Sequence, residues 1–356
     1  MINLQTPINS LGYGIAGLNI LKSLQESLEV SLFTIGQPQI TDEYDHNAVL
    51  KAVELSKFYN PQAPCIKIWH QNQMAERIGS GKFIGFPIFE LDAFSDLEKH
   101  HLSSCDHLFV CSEWAKNVCL DNLHFDEHKV HVVPLGVDGS IFKPLAATQT
   151  DKTIFFNCGK WEIRKGHDVL VECFNRAFTK NDNVELWMMC DNPFIGDQNE
   201  EWKKLYLNSS LGEKIRIIPR QHSHHDVARL MNMADCGVFP ARAEGWNLEL
   251  LEMMSCGKHV IATNYSAHTE FCTPVNSRLV NVDNMETAFD GVFFDGKKGM
   301  WAELAQDQKD VIIEYMRDIH TLKQSGELVV NSNGIETAKK FNWKNTSDKI
   351  LEYINE

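Results

Sequence analysis

No stretch of the 356 residues comes near the eighteen consecutive apolar positions that a membrane-spanning helix requires, so no span is expected. The start, MINLQTPINS, lacks the basic and then apolar regions of a secretory leader, which gives a cytoplasmic expectation. Ten cysteines are present, yet none forms a CxxC pair. Several fall inside apolar segments, which predicts reduced, buried thiols rather than disulfides or a metal knuckle. Positive charge is also short. With 34 Lys and Arg against 48 Asp and Glu, the formal net charge is -14, which argues against a broad nucleic-acid surface. The same balance leaves peripheral membrane contact at most, and the small basic groups Lys297-Lys298 and Lys339-Lys340 read as solvated surface. The chain has no DxD, no HExxH and no GxSxG, so no metal site is expected and no serine nucleophile is indicated. Any anionic ligand must then be met by a few local cations and backbone amides.

What is present is an ordinary globular composition, 43% hydrophobic and 23% charged, in a chain long enough for two domains. In the first half VSLFTIG, IKIWH, FIGFPIF, HLFVCS and HVVPLG read as strands, separated by helical patterns such as GLNILKSLQ and NAVLKAVELSKFY. Strands alternating with helices predict parallel sheets covered on both faces. KPLAATQTDK, residues 143–152, has no apolar period and reads as a linker. The pattern then restarts with TIFFNCG, VELWMMC, IRIIP, CGVFP and HVIAT. The expected fold class is α/β, with two doubly wound, Rossmann-like domains facing across a cleft. Their expected limits are 1–145 and 146–330, with a helical tail over 331–356.

In such sheets ligands sit where strands end and loops lead into helices. Two loops of the second half fit that position. RAEGWNLELLEMMSCG follows CGVFP, and its helix ends at Gly257, a cap of the left-handed kind. The start of this helix offers free N–H groups suited to a phosphate. Gly245 allows close approach of a ligand, and Glu244 can accept hydrogen bonds from sugar hydroxyls. Glu252 shares a helix face with Glu249 and could accept from both hydroxyls of a ribose. The bland alternative pairs Glu252 with an arginine and leaves Glu244 as a solvated loop acid. The other loop, GKWEIRKGHDVL, carries Lys160 and Lys165 around Arg164, two cations able to neutralise a diphosphate without Mg²⁺. Its bland alternative is a basic turn with Asp168 as a helix cap.

Weaker signals lie elsewhere. LGYGIAGLN spells GxGxxG through Gly12, Gly14 and Gly17, but no acid closes the following strand, so a loop lining the cleft is the better reading. His70 ends one strand, and Glu90 and Asp92 follow another. HSHHD, with His222, His224 and His225, reads as a surface loop before a helix that Asp226 could cap.

Together these loops resemble the retaining glycosyltransferases of family 4, the glycosyl transferases group 1, which have the GT-B fold. PARAEGWNLELLEMMSCGKHVIATNYSAHTEF is similar to that family's donor-site signature, whose two glutamates fall at Glu244 and Glu252. FNCGKWEIRKGHDVL resembles its diphosphate loop and HVVPLGVDGSIFKP the segment closing its first domain. The resemblance implies a hexosyltransferase that takes a nucleotide-diphosphate sugar as donor and a glycan, lipid-linked or small-molecule hydroxyl as acceptor. It implies Glu252 on the ribose, Glu244 on the transferred sugar and Lys160 and Lys165 on the diphosphate. It also implies amides near Asn247 and Leu248 assisting, Trp246 at the sugar pocket, Gly12 and Gly14 in a first-domain glycine loop, and a terminal helix returning to the first domain. No cofactor or metal is implied.

Four departures stand out. Lys160 replaces the usual arginine, EGWN replaces EGFG, CDNP replaces the usual glycines after VELWMM, and the family's active-site histidine has no clear counterpart, leaving His70 and Glu90 as the acceptor-side candidates. Rival readings are a nucleotide-sugar-binding module with little turnover, and a related epimerase or phosphorylase.

Overall fold

The computed structural model describes residues 1–40, 43–146, 150–221 and 223–355. The chain divides into two compact units, Met1–Gly136 with Phe341–Glu356, and Val137–Lys340.

The first unit runs β1 (Ile2–Thr6), α1 (Gly12–Gln25), β2 (Val30–Thr34), α2 (Glu43–Ser56), β3 (Cys65–Ile68), β4 (Phe83–Phe86), α3 (Asp96–Leu102), β5 (His107–Val110), α4 (Glu113–Asn122) and β6 (Val130–Val132). Its six strands are all parallel, in the order β2-β1-β3-β4-β5-β6. Strands such as CIKI and FIGF are buried at every position, as sheets covered on both faces require. The helices start where the chain supplies caps. Ser95 and Glu98 form a reciprocal capping box at α3, and the Ser112 hydroxyl accepts the Ala115 N–H at α4.

The second unit continues with β7 (Thr153–Gly159), α5 (His167–Ala177), β8 (Val184–Cys190), α6 (Gln198–Leu207), β9 (Ile215–Ile217), α7 (His224–Met233), β10 (Cys236–Phe239), α8 (Leu248–Ser255) and β11 (His259–Asn264). It closes with β12 (Arg278–Asn281), β13 (Met285–Phe289), β14 (Asp295–Ala302), α9 (Gln306–Ser325) and α10 (Ser332–Lys340), after which α11 (Trp343–Asn355) belongs to the first unit. A second six-stranded parallel sheet has the order β12-β11-β10-β7-β8-β9, and β13-β14 is a separate antiparallel hairpin. Phe155, Leu186, Val238 and Ile261 from this sheet share one core with Phe174 of α5 and Ile312 and Met316 of α9.

The strand order fixes where each site must lie. From β7 the chain steps one way to β8 and β9, then returns to β10 and steps the other way to β11 and β12. Right-handed crossovers put the helices of the two runs on opposite faces, so the crevice opens between the ends of β7 and β10. In the first unit the same reversal falls between β1 and β3.

Two boundary expectations are corrected. The division falls at 136/137, ahead of the segment 143–152, part of which (147–149) lies outside the described residues. The reason is packing. Phe142 is buried, its carbonyl accepts the Ser255 hydroxyl, and the Lys143 carbonyl accepts the Asn232 amide at 3.0 Å. These contacts fold residues 137–145 into the second unit. The tail is also two helices rather than one. Asn331 donates to the carbonyls of Lys258 and Asn276 and ties the start of α10 to the second unit. In the first unit, α11 sets Ser347 2.7 Å from Ser23 and Thr346 on the Pro134 carbonyl at 2.8 Å. Periodicity assigns nothing between HVIAT and the tail, where the structure has β12, the hairpin and α9. All ten cysteines are free and buried, as composition predicts.

Candidate functional site

The two loops singled out in the sequence leave adjacent parallel strands at the reversal point of the second unit. Residues 160–166 follow β7, and residues 240–247 follow β10. Each helix begins on a left-handed residue, Gly166 (φ 71°) before α5 and Asn247 (φ 85°) before α8. At Gly166 a Cβ would meet the Pro240 carbonyl oxygen at 1.9 Å, so glycine there lets one loop lie against the other.

Five charges alternate across this contact. Lys160 lies 2.7 Å from Glu162, and the other Glu162 oxygen accepts from Arg164 at 2.7 Å. Arg164 then donates to Glu244 at 2.9 Å, and Lys165 meets the second Glu244 oxygen at 2.8 Å. Glu162, Arg164 and Glu244 are buried, whereas the Lys160 side chain keeps 35% of its exposure. Burial alone would raise the Glu244 pKa, but Arg164 and Lys165 outweigh it and hold the carboxyl well below its ordinary value. Burial likewise opposes the Lys165 charge, and the carboxylates of Glu244 and Glu249 outweigh that and push its pKa up. Gly159 makes room for these groups. A Cβ there would lie 3.2 Å from Lys165 Cε and 3.3 Å from Glu249 Oε1.

Glu252 differs. It is buried one turn into α8, and among the described residues no hydrogen bond or ion pair meets its carboxyl. Burial first, and the neighbouring Glu249 second, raise its pKa well above the carboxylate range. The bland sequence alternative is therefore inverted: the loop acid Glu244 is the buried and paired one, and the helix acid Glu252 has no arginine.

Several candidates move. Trp246 packs on Phe271 in the core at 2% exposure, so it does not line an open sugar pocket. Gly245 is buried beside it. Asn247 fills the left-handed position where the family resemblance expects glycine. Its side-chain oxygen caps Leu250 N–H, and its amide faces His268 Nε2 at 2.9 Å. His268 is fixed in turn by the Thr263 carbonyl at Nδ1. The N–H groups of Leu248 and Glu249 have no intrahelical acceptor, as at any helix start. Asp168 is not the cap of α5. It takes two bonds from Arg242, at 2.8 and 2.9 Å, which also reaches Glu286 and the Ile163 carbonyl and so staples the two loops. Ser223, not Asp226, caps α7, and His222 lies outside the described residues.

In the first unit, Tyr13 organises the candidates at the β1/β3 reversal. Its hydroxyl donates to the Ile88 carbonyl at 2.6 Å, its ring meets His70 edge-on at 4.7 Å, and the Glu90 charge helps burial raise its pKa. Gly12 is exposed with open space around it. Gly14 is not: a Cβ there would strike Asn9 at 2.3 Å, so this glycine serves close packing rather than a ligand.

Sequence reasoning missed Glu162, Arg242, Ser266, His268 and Tyr13 as site-builders. Their signal was position, since each lies in or beside a loop leaving a parallel strand. Ser266 accepts the Glu244 N–H at 2.8 Å and so sets that loop from β11. The cation set, buried acids and helix start suit a phosphorylated, hydroxyl-rich ligand. Among the described residues no group of three or more His, Cys, Asp or Glu is placed to hold a metal. None of the described helices is long and apolar enough to cross a membrane.

Comparison with known proteins agrees with this geometry. An uncharacterized glycosyltransferase of Methanocaldococcus jannaschii is 25% identical over 250 residues, 69% of this chain and 58% of that protein. The chain spans little more than half the length of the curated relatives it matches. Sucrose-phosphate synthase from Thermosynechococcus elongatus superposes with a TM-score of 0.72 at 16% identity, covering 99% of this chain and 97% of that one. Anabaena HepE, solved with UDP and glucose, gives 0.69 at 15% identity, covering 99% of both. These likenesses establish the two-domain, Rossmann-like GT-B fold. Residues 141–291, which carry both loops, match the family described as glycosyl transferases group 1.

Proposed function

We propose that the chain transfers a hexosyl group from a nucleoside-diphosphate sugar to a hydroxyl acceptor, with retention of anomeric configuration and without a metal. The observation that carries this reading is the buried carboxyl of Glu252, which has no partner among the described residues and whose neighbour Glu249 also acts on the Lys165 that Glu244 holds. An acid held without a partner costs stability unless a ligand satisfies it, and the two hydroxyls of a ribose are suited to do so. Lys165 has three N–H donors and Glu244 engages one, which leaves donors for a diphosphate oxygen. The exposed Lys160 supplies a second cation, and the open amides at the start of α8 supply a third element.

In this mechanism negative charge grows on the departing diphosphate. Lys165, already ordered by Glu244, stabilises it without reorganisation. Glu244 keeps one face toward the transferred sugar, and the leaving phosphate oxygen collects the acceptor proton, so no protein nucleophile is required. His70 and Glu90, gathered around Tyr13, are the acceptor-side residues of the proposal. The acceptor is a carbohydrate, lipid-linked or small-molecule alcohol.

The test is thermal stability against UDP-, GDP- and ADP-sugars, first without metal and then with Mg²⁺. UDP is the first choice because HepE was solved with it. Ligand at one hundred times its dissociation constant adds about 2.7 kcal/mol to the native state. A metal-independent gain with one nucleotide, lost in Glu252→Ala, supports the donor site. No gain with any of them defeats it.

A further inference from the structure

Trp161, Glu162 and Ile163 of the 160–166 loop line a cavity of about 280 Å³ in the second unit that the donor reading does not use. Its wall includes Trp202, stacked parallel to the buried Trp161 with centroids 5.7 Å apart. Phe293, from the turn of the β13-β14 hairpin, forms another part of that wall and is 45% exposed. Phe194 stands beside it at 60% exposure, the two rings crossing at 89° with centroids 6.5 Å apart. Aromatic rings left this open to solvent mark a surface that something covers.

The polar groups around the rings decide what that is. The side chains of Gln198 and Glu201 line the cavity, and among the described residues neither has a hydrogen-bond or ion-pair partner. One Asp290 oxygen caps its own turn by accepting from the amides of residues 292–294, and the other is unspent. Trp161 Nε1–H, buried in the wall, finds no acceptor among the described residues. Lys160 lies 5.6 Å from the Phe293 centroid, but its ammonium is held by Glu162. Glu162 is neutralised by Lys160 and Arg164, so Glu201 and Asp290 give the cavity its negative charge, and among the described residues no Lys or Arg lines it. Phosphates and acidic sugars are repelled there. A neutral ring with one apolar face and a rim of hydroxyls satisfies both the aromatic walls and the acceptors.

We propose that this cavity is a saccharide subsite that seats one pyranose ring of a neutral glycan, separate from the nucleotide site. Its volume lies at the small end of ligand pockets, which suits one ring rather than a chain. The inference does not depend on the donor reading. A carbohydrate seat next to the 160–166 loop would hold glycan on the same unit as the proposed donor site.

Saturation-transfer NMR on the full chain tests it, with methyl α-glucoside, α-galactoside and α-mannoside each at about 10 mM, above the millimolar affinity expected of a single ring. At least one should show transfer to its ring protons, unchanged by saturating UDP and retained in Glu252→Ala. Phe293→Ala should weaken that signal about fivefold, the scale of losing one aromatic contact. Should Phe293→Ala fail to fold, Glu201→Gln, on the exposed side of α6, replaces it and should weaken the signal as well. No transfer from any of the three overturns the proposal, as does transfer that UDP abolishes or that survives the variants. The UDP thermal shift is read in parallel, so failure of this subsite leaves the donor site to be judged separately.

Discussion

Lys165 and Glu244 form a buried ion pair, 2.8 Å apart, that joins the loop after β7 to the loop after β10. Because Arg164 meets the other Glu244 oxygen, one carboxylate holds two cations inside the second unit. Glu244→Gln would leave Lys165 and Arg164 short of a counter-charge. Breaking such a pair costs about 3 kcal/mol, the lower end of the usual range because Glu162 still faces Arg164. Urea unfolding at neutral pH measures it, and a loss below about 1 kcal/mol would mean that the pair carries little in solution. The pH dependence has a definite sign. The folded pKa of Glu244 lies below its unfolded value, so the stabilisation is complete above the ordinary carboxylate range near 4.5. It is lost progressively as the pH falls from there toward the folded value. Glu244→Gln should flatten that acid limb.

Glu252 should behave in the opposite way. Its folded pKa is raised by burial and by Glu249, so the native protein keeps a proton that the unfolded chain has released. From about pH 4.5 upward to the folded pKa, stability therefore falls as the pH rises. Glu252→Gln removes the ionisable group while keeping its shape, and should stabilise the ligand-free protein by about 1 kcal/mol at neutral pH. The same variant should weaken nucleotide binding. Melting curves with and without UDP at pH 5 and pH 8 check both halves. A variant less stable than the parent at pH 8 would mean that Glu252 has a partner in solution.

How far this was legible in the sequence follows from what each signal depends on. The parallel strands were readable because apolar runs such as CIKI and FIGF are buried on both faces. The loop positions followed from the alternation of strand and helix. Partner choice was not readable. Glu244 and Glu252 are both acids near one helix, and only the fold decides that Arg164 reaches the first while no hydrogen bond or ion pair among the described residues reaches the second carboxyl. The family resemblance implied Trp246 at the sugar pocket, yet its ring turns onto Phe271. The hairpin β13-β14 gave no usable pattern, since its residues alternate weakly and Phe289 and Phe293 stay exposed while Trp301 is buried.

Asn247 gives a prediction about the departure from glycine. It holds φ 85°, caps Leu250 N–H and faces His268, so its side chain offsets the strain of its own backbone. Asn247→Ala keeps the strained conformation and loses the cap, and should cost about 2 kcal/mol, roughly one from each source. Asn247→Gly loses the cap but relaxes the backbone, and should cost less than the alanine variant. Paired urea titrations give the order. Equal losses would show that the backbone contributes nothing and that the amide contact to His268 dominates.

Lys165→Ala tests the chemistry once a donor and acceptor are known. Lys165 is nearly enclosed and ordered by Glu244, whereas Lys160 is partly open to solvent and held by Glu162. A preorganised charge stabilises a transition state more than a mobile one does, because it needs no rearrangement as charge develops. Lys165→Ala should therefore lower kcat about a hundredfold, the scale of removing one such stabiliser. Lys160→Ala should act mainly on KM for the donor, because an exposed cation assists binding about equally in ground and transition states. Arg164 still neutralises Glu244 in Lys165→Ala, so the variant should fold, and its melting curve verifies that before kinetics are read. If Lys160→Ala instead lowers kcat as much as Lys165→Ala, the charge on the leaving diphosphate is met at Lys160, and the ordering by Glu244 is structural.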